Sequence, residues 1–234
     1  PLTDGEHTLS VALSDAAGNT ETITQTITID TNNSNTGDAT ISLDTISGDN
    51  VINKAEAETS SVVISGTTTA ADGAIVSILV ANSLLANVTV TNGVYSYPVT
   101  AGIFSSYSDG DYTVTVEVAS DSAGNIASAS QNVTLDSHLN GTDVNNGNIV
   151  TIDSITEDTG SSDSDYITND NTLLVQGTYD NSGGNTLEVT IAGKTYFPTV
   201  NGTTWEVTLD PLTDGDNTLS VVLSDTAGNT ETIT

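Results

Sequence analysis

The chain has 234 residues, enough for about two domains of ordinary size, and sets 31 Asp and Glu against two basic residues, Lys54 and Lys194, for a formal charge of −29. With no Arg, almost nothing here could neutralise phosphates, which argues against nucleic acid and against an anionic membrane surface as partners. Cys and Met are both absent, which removes disulfides and thiolate metal sites.

The chain opens on PLTDGEHTLSVALSDAAGNTETIT (1–24), carries SDGDYTVTVEVASDSAGN at 108–125, and ends on PLTDGDNTLSVVLSDTAGNTETIT at 211–234. The Asp-Gly pairs begin at Asp4, Asp109 and Asp214, an even period of 105 residues. A period that long is a whole domain, not a solenoid coil or a propeller blade. Residues 1–30 read as the last two strands of one repeat, 38–137 as a complete repeat, and 150–234 as a second that lacks the strand matching Gln25–Asp30. A two-strand fragment cannot bury a core alone, so it is expected to fray or to pair with a neighbouring molecule's incomplete domain, as truncated ends do in a crystal. No leader, membrane-spanning run or lipidation motif is visible, as expected of an excerpt from a longer chain.

Along each unit, apolar residues alternate at the period of a strand. Leu9, Val11 and Leu13 face one way, as do Val114, Val116 and Val118, then Leu187, Val189 and Ile191, then Trp205, Val207 and Leu209, and finally Leu219, Val221 and Leu223. Asn-Gly turns at Asn92 and Asn201, the three Asp-Gly pairs, and Ala-Gly-Asn at Ala17, Ala123 and Ala227 punctuate them, and no segment has a helical period. About seven short strands per hundred residues predicts an all-β chain of tandem immunoglobulin-like β-sandwiches joined by short linkers. Thr20, Thr22, Thr24, Thr26 and Thr28 share one strand face. Such a row could order water at ice, but Thr also favours exposed strands, and the equivalent face of the next repeat reads Ile126, Ser128, Ser130 and Asn132. Trp205, with Tyr95 as its counterpart, reads as a core aromatic rather than a sugar platform. Neither His7 nor His138 has a nucleophile or metal-ligand partner nearby in the sequence, and no catalytic constellation stands out, so no enzyme is predicted.

Acidity of this order favours disorder unless something cationic settles the loops. The carboxylates are mostly Asp set singly among Gly, Asn and Ser, which suits Ca²⁺, a hard ion bound by carboxylate and carbonyl oxygens. At the SDxAGN hairpins the sequence resembles the bacterial Ig-like extender repeats of giant RTX-type surface adhesins. LDTISGDNVINKAEA (43–57) and IDSITEDTGSSDSDYITNDNTLLVQGT (152–178) resemble the openings of two classes of these repeats. The resemblance implies a Ca²⁺-rigidified extracellular stalk that projects a ligand-binding tip from a Gram-negative cell in adhesion and biofilm formation. The alternative is a repeat that itself grips a glycan, a protein or ice. The nonapeptide run and the anchor of a full adhesin are absent from these residues.

Sandwich topology places the last hairpin of each repeat at its entry end, and the first loop and the Asp-Gly turn at its exit end. Candidate Ca²⁺ ligands are therefore expected where the exit end of one repeat meets the entry hairpin of the next. Before the first full repeat these are Asp4, with Glu6 beside it, and Asp30 and Asp38, facing Asp121 and Asn125, with Asp15 and Asn19 in the fragment's own hairpin. At the second junction they are Asp44, Asp49, Glu56, Asp109, Asp111, Asp136, Asp143 and Asp153, facing Asp225 and Asn229. The first loop of the second repeat adds Glu157, Asp158, Asp163, Asp165 and Asp170, and its exit turn adds Asp214. The plainer reading of SDxAGN is a hairpin whose Asp accepts backbone amides while Gly supplies a positive φ and Asn caps the turn. Neighbouring repeats of the same polypeptide are the expected partners, without direct membrane contact.

Overall fold

A computed structural model describes residues 1–32, 38–59, 61–139, 149–181 and 184–234. Among them, strands β1 (Gly5–Ser14) and β2 (Thr20–Ile29) form an antiparallel ladder running from Gly5 opposite Ile29 to Ser14 opposite Thr20. The apolar row predicted to face a core is in place but uncovered, with Leu9, Val11 and Leu13 at 55%, 54% and 74% exposed. Thr20, Thr22, Thr24, Thr26 and Thr28 are exposed as well.

Next come β3 (Val51–Asn53), α1 (Lys54–Glu58), β4 (Val63–Thr67), β5 (Ile75–Val80), β6 (Ser83–Thr89), β7 (Val94–Pro98), β8 (Gly110–Ala119) and β9 (Ile126–Asp136). They make a five-stranded sheet in the order β3-β9-β8-β5-β6 and a two-stranded sheet β4-β7. Val76, Ile78 and Val80 on β5 and Val114, Val116 and Val118 on β8 are buried, alternating with more exposed residues as a pleat requires, polar on β8 and mixed on β5. β3 pairs with β9 in parallel, Val51 opposite Thr134 and Asn53 opposite Asp136.

The expectation of no helix is corrected at Lys54–Glu58. Asn53 accepts a hydrogen bond from the Glu56 amide through Oδ1 at 3.0 Å, and Glu56 Oε2 accepts one from the Asn53 amide at 3.0 Å. This reciprocal capping box nucleates one helical turn too short to show a period.

The last strands are β10 (Ser154–Thr156), β11 (Leu174–Thr178), β12 (Thr186–Ile191), β13 (Lys194–Tyr196), β14 (Thr199–Asn201), β15 (Thr204–Thr208), β16 (Leu219–Ser224) and β17 (Thr230–Ile233). They form two four-stranded sheets, β10-β11-β15-β14 and β13-β12-β16-β17, that share one core of Val175, Leu187, Val189, Trp205, Val221 and Leu223 with their buried neighbours. This is a β-sandwich. The chain is all-β apart from α1 and a 3₁₀ turn at Phe104–Ser106, and no described helix is long and apolar enough to cross a membrane.

One device recurs in both sandwiches. Trp205 is 1% exposed and donates its indole N–H to Thr151 O at 3.1 Å, while Tyr95 is 2% exposed and donates its hydroxyl to Ser42 O at 2.5 Å. Each ring lies over a glycine. A Cβ on Gly177 would sit 2.0 Å from Thr151 O and 2.6 Å from Trp205, and one on Gly66 would sit 2.0 Å from Ser42 O and 2.5 Å from Tyr95. Only Gly lets the strand approach the aromatic that closely. Burial, and after it the Asp44 charge, pushes the Tyr95 phenol well above its usual range. Buried this way, Trp205 has no face free for sugar stacking.

The chain divides into two compact units, one of Pro1–Thr45, Ile64–Tyr97 and Thr113–Asn132, the other of Ile46–Val63, Pro98–Tyr112 and Val133–Thr234. The division runs through the 38–137 segment, because the loops around Asn53 and Asp109 belong with the linker strand end and the last hairpin. Each inter-repeat ligand set described next lies inside one unit.

Candidate functional site

The SDxAGN motif builds the same turn three times. Asp15 Oδ1 accepts the amides of Ala17 and Asn19, both at 2.9 Å, and its Oδ2 accepts Asn19 Nδ2 at 2.7 Å. Asp121 Oδ1 accepts Ala123, Gly124 and Asn125 amides at 2.8, 2.9 and 3.1 Å, and its Oδ2 accepts Asn125 Nδ2 at 2.7 Å. Asp225 repeats the pattern with the Asn229 amide at 2.8 Å and Asn229 Nδ2 at 2.9 Å. Gly18, Gly124 and Gly228 hold φ of +89°, +95° and +89°, where a Cβ would be strained. The Asn19 side chain, with the backbone amides behind it, holds the Asp15 carboxyl below the usual carboxylate range, and Asn125 does the same for Asp121. The hairpin reading of the motif thus accounts for both oxygens of each Asp.

The Asn does more than close its own turn. Asn125 Nδ2 also reaches Asp30 O and Oδ1, each at 3.3 Å, across 95 residues. Asn229 Nδ2 donates to Asp136 O at 2.8 Å and approaches Asp136 Oδ1 at 3.5 Å, across 93 residues. In both cases the hairpin's Asn grips an Asp where an earlier strand ends, Asp30 just past β2 and Asp136 the last residue of β9. The second set is more elaborate. Asn229 is 5% exposed, its Oδ1 accepts the Lys54 amide at 2.8 Å, and Asn53 Nδ2 donates to Ala227 O at 3.1 Å. The α1 start is therefore seated on the last hairpin.

Carboxylates gather around this second set. Burial, then the charge of Asp225, then that of Asp109, raises the Asp136 carboxyl above its ordinary value. Burial would raise Asp109 too, but hydrogen bonds from Ser137 Oγ at 2.7 Å and the Ser137 amide at 2.9 Å, with His138 Nδ1 at 2.9 Å, hold it below the usual range. His138 pairs with Asp109, 29 positions earlier in the chain and beyond the reach of a local reading. Asp111 accepts Thr134 Oγ1 at 2.7 Å.

The other candidate ligands are dispersed. Asp4 accepts Thr31 Oγ1 at 2.7 Å and Asn32 Nδ2 at 2.5 Å. Asp44 accepts Ser65 Oγ at 2.8 Å, Asp49 accepts the Val51 amide at 2.9 Å, and Glu56 is the helix cap. Asp38 is partly buried, Asp153 and Asp214 are exposed, and Asp143 lies outside the described residues. In the loop after β10, Asp165 accepts the Ile167 amide at 3.2 Å, Asp170 accepts the Thr172 amide at 2.9 Å, and Asp163 is exposed. Asp158 Oδ2 accepts the Tyr166 amide at 3.1 Å, whereas its Oδ1 is buried without a hydrogen-bond partner. A buried carboxylate oxygen with no donor is costly and suits a cation. Among the described residues no three His, Cys, Asp or Glu converge into a metal-holding group; the candidate side chains named here engage amides and hydroxyls instead. Sequence reasoning missed Asn53, Lys54 and Ser137 as junction residues. The N-K-A-E spacing at 53–56 announces the capping box, but nothing local announces its seat on Ala227 and Asn229.

The profile of the bacterial Ig-like domain matches residues 146–234, and a second profile of the same description matches 1–31 and 33–137. The chain belongs to the bacterial Ig-like domain family. No curated protein matches it. Among solved structures it is similar to one of a 1.5-MDa bacterial ice-binding adhesin, with 25% identity, TM-score 0.45, and coverage of 98% of this chain and 72% of the other. It is also similar to a Ca²⁺-stabilised, ice-binding adhesin of an Antarctic bacterium, with 28% identity, TM-score 0.45, and coverage of 98% and 55%. Fibronectin(III)-like modules of Clostridium thermocellum CbhA follow at 14% identity and TM-score 0.40, with coverage of 82% and 90%. TM-scores this low give these likenesses no weight for function.

Proposed function

We propose that the chain is a structural extender of a bacterial surface adhesin, an extracellular stalk of Ig-like repeats that Ca²⁺ stiffens at its loops and junctions. The observation carrying this reading is the repeated latch, in which Asn125 with Asp121 and Asn229 with Asp225 each hold the linker Asp of the preceding strand, Asp30 or Asp136. A module specialised for binding a target has no need to fasten its linkers at every repeat, whereas a spacer does. The two bacterial Ig-like domain matches along the chain support the same reading, and neighbouring repeats of the same polypeptide would be its partners.

Ca²⁺ would be held by Asp136 and Asp225 at the second junction, by Asp30 and Asp121 at the first, and by Asp158 in the loop after β10, with other ligands from the neighbouring acidic residues. When bound, the ion would neutralise Asp136, which burial first and then the charges of Asp225 and Asp109 disfavour as a carboxylate. The protein's own part is to hold those oxygens near each other through the Asn amides and the hairpin backbone. A stalk on a Gram-negative cell and a role in biofilm adhesion extend the proposal.

Calorimetric titration of the chelator-treated protein with Ca²⁺ tests it. Several sites are expected, fewer in Asp158→Asn and in Asp136→Asn. A flat titration with the folded wild type would remove calcium from the account.

A further inference from the structure

Charge is spread along the chain with one long interruption. Between Asp72 and Asp109 there is no Asp, Glu, Lys or His, the longest such run in a sequence whose formal charge is −29. That run supplies β5, β6 and β7 of the first full repeat. The matching stretch of the second repeat, from β12 to β15, carries Glu188, Lys194 and Glu206.

β6 is the last strand of its five-stranded sheet, paired with β5 on one side only. The Val90 amide donates to Ala74 O at 2.9 Å and the Gly73 amide to Val90 O at 3.0 Å. Bonding residues alternate in an antiparallel ladder, so Val88 turns its backbone toward β5 while Asn87 and Thr89 turn theirs outward. The Asn87 side chain is held by Ser77 Oγ, which donates to its Oδ1 at 3.0 Å. Leu84 and Ile75 stand beside this edge at 59% and 51% exposed. Glu117, opposite Ser77 on β8, is kept off the edge by the width of β5. A free edge of this kind is normally blunted by Lys, by Pro or by short length. β13, at an edge of the second sandwich, has all three, being three residues long, starting at Lys194 and lying just before Pro198. β6 runs for seven residues without Lys or Pro, its one bulge lying at the hairpin end opposite Ile78 and Leu79.

We infer that β6 of one copy pairs antiparallel with β6 of a second copy, so that the first full repeats of two chains share one sheet. Backbone amides and carbonyls accept any strand, and charge decides which strand can come near. Two copies of this chain repel wherever their carboxylates meet, and the charge-free run is the surface they can bring together. A cationic partner would find no carboxylate on that edge to bind. Because the same patch meets itself about a two-fold axis, the contact closes at two copies and sets two chains side by side. It depends on the outward groups of Asn87 and Thr89 and not on calcium.

Sedimentation velocity of the full 234-residue chain across a hundredfold range of concentration tests this, in chelator and at high salt to screen the carboxylates. The expected result is a monomer–dimer equilibrium, with amide exchange in residues 83–90 slowing as concentration rises. Asn87→Pro removes a donor that β5 does not use, and Asn87→Asp keeps the acceptor for Ser77 while adding a charge at the shared edge. Each should weaken the dimer at least tenfold, whereas Thr195→Asp on β13 should leave it unchanged. Monomer at every concentration, association that survives Asn87→Asp, equal weakening by Thr195→Asp, or protection gained only outside residues 83–90 would each overturn the inference.

Discussion

Replacing Asn229 with Ala separates a latch from a mere turn residue. The substitution deletes the donor to Asp225 Oδ2 at 2.9 Å and to Asp136 O at 2.8 Å, and the acceptor of the Lys54 amide at 2.8 Å, all around a side chain 5% exposed. A net hydrogen bond contributes about 0.5–1.5 kcal/mol, and more to a charged partner, so three give about 2–4 kcal/mol. Trp205, the only Trp and 1% exposed, reports unfolding of the last sandwich by fluorescence. With a urea slope of about 1–3 kcal/mol/M, the midpoint should fall by roughly 1–2 M at unchanged slope. Asn125→Ala, in the other latch, should leave the Trp205 transition within about 0.3 M of wild type. Equal shifts in both variants, or none in Asn229→Ala, would refute the assignment of Asn229 as the tie between hairpin, linker and α1.

Other outcomes follow from the same geometry. Gly177→Ala forces a Cβ to 2.0 Å from Thr151 O and 2.6 Å from Trp205. It should cost about 3 kcal/mol and displace the Trp205 emission maximum, measured by urea titration. Asp109, held below its ordinary carboxylate value, contributes stability that is present above the unfolded pKa of about 3.9 and lost as pH falls through the folded value. Asp109→Asn should therefore lower the midpoint at pH 7 and converge with wild type in acid, as urea titrations across pH would record. Asp136 carries the opposite sign. Its raised carboxyl favours the fold below about pH 3.9 and loses that contribution as pH rises through the folded value. Asp136→Asn in chelator should hold or raise the neutral-pH midpoint, while reducing the gain on adding Ca²⁺.

Much of the fold was legible because a pleat writes its period into the sequence. Val114, Val116 and Val118 point inward as the alternation says, and the Ala-Gly-Asn turns fall where Gly must take a positive φ. The hairpin β1–β2 was legible as well, but whether its apolar row is covered depends on what lies beside it and not on its own residues. The latches were half legible. Asp121 with Asn125 and Asp225 with Asn229 sit four residues apart, so their pairing is local. Their hold on Asp30 and Asp136 is set by folding across more than 90 residues. Acidic residues at 49, 56 and 109 read alike in sequence, yet one closes an Asx turn, one caps a helix and one binds Ser137 and His138.

Rigidity itself is measured most directly with two spin labels, at Ser83→Cys and Thr199→Cys, by pulsed dipolar spectroscopy in Ca²⁺ and in chelator. Stiffening of the junctions by the ion predicts a narrow distance distribution that broadens at least twofold when Ca²⁺ is removed. A distribution of the same width in both conditions, broad or narrow, contradicts it.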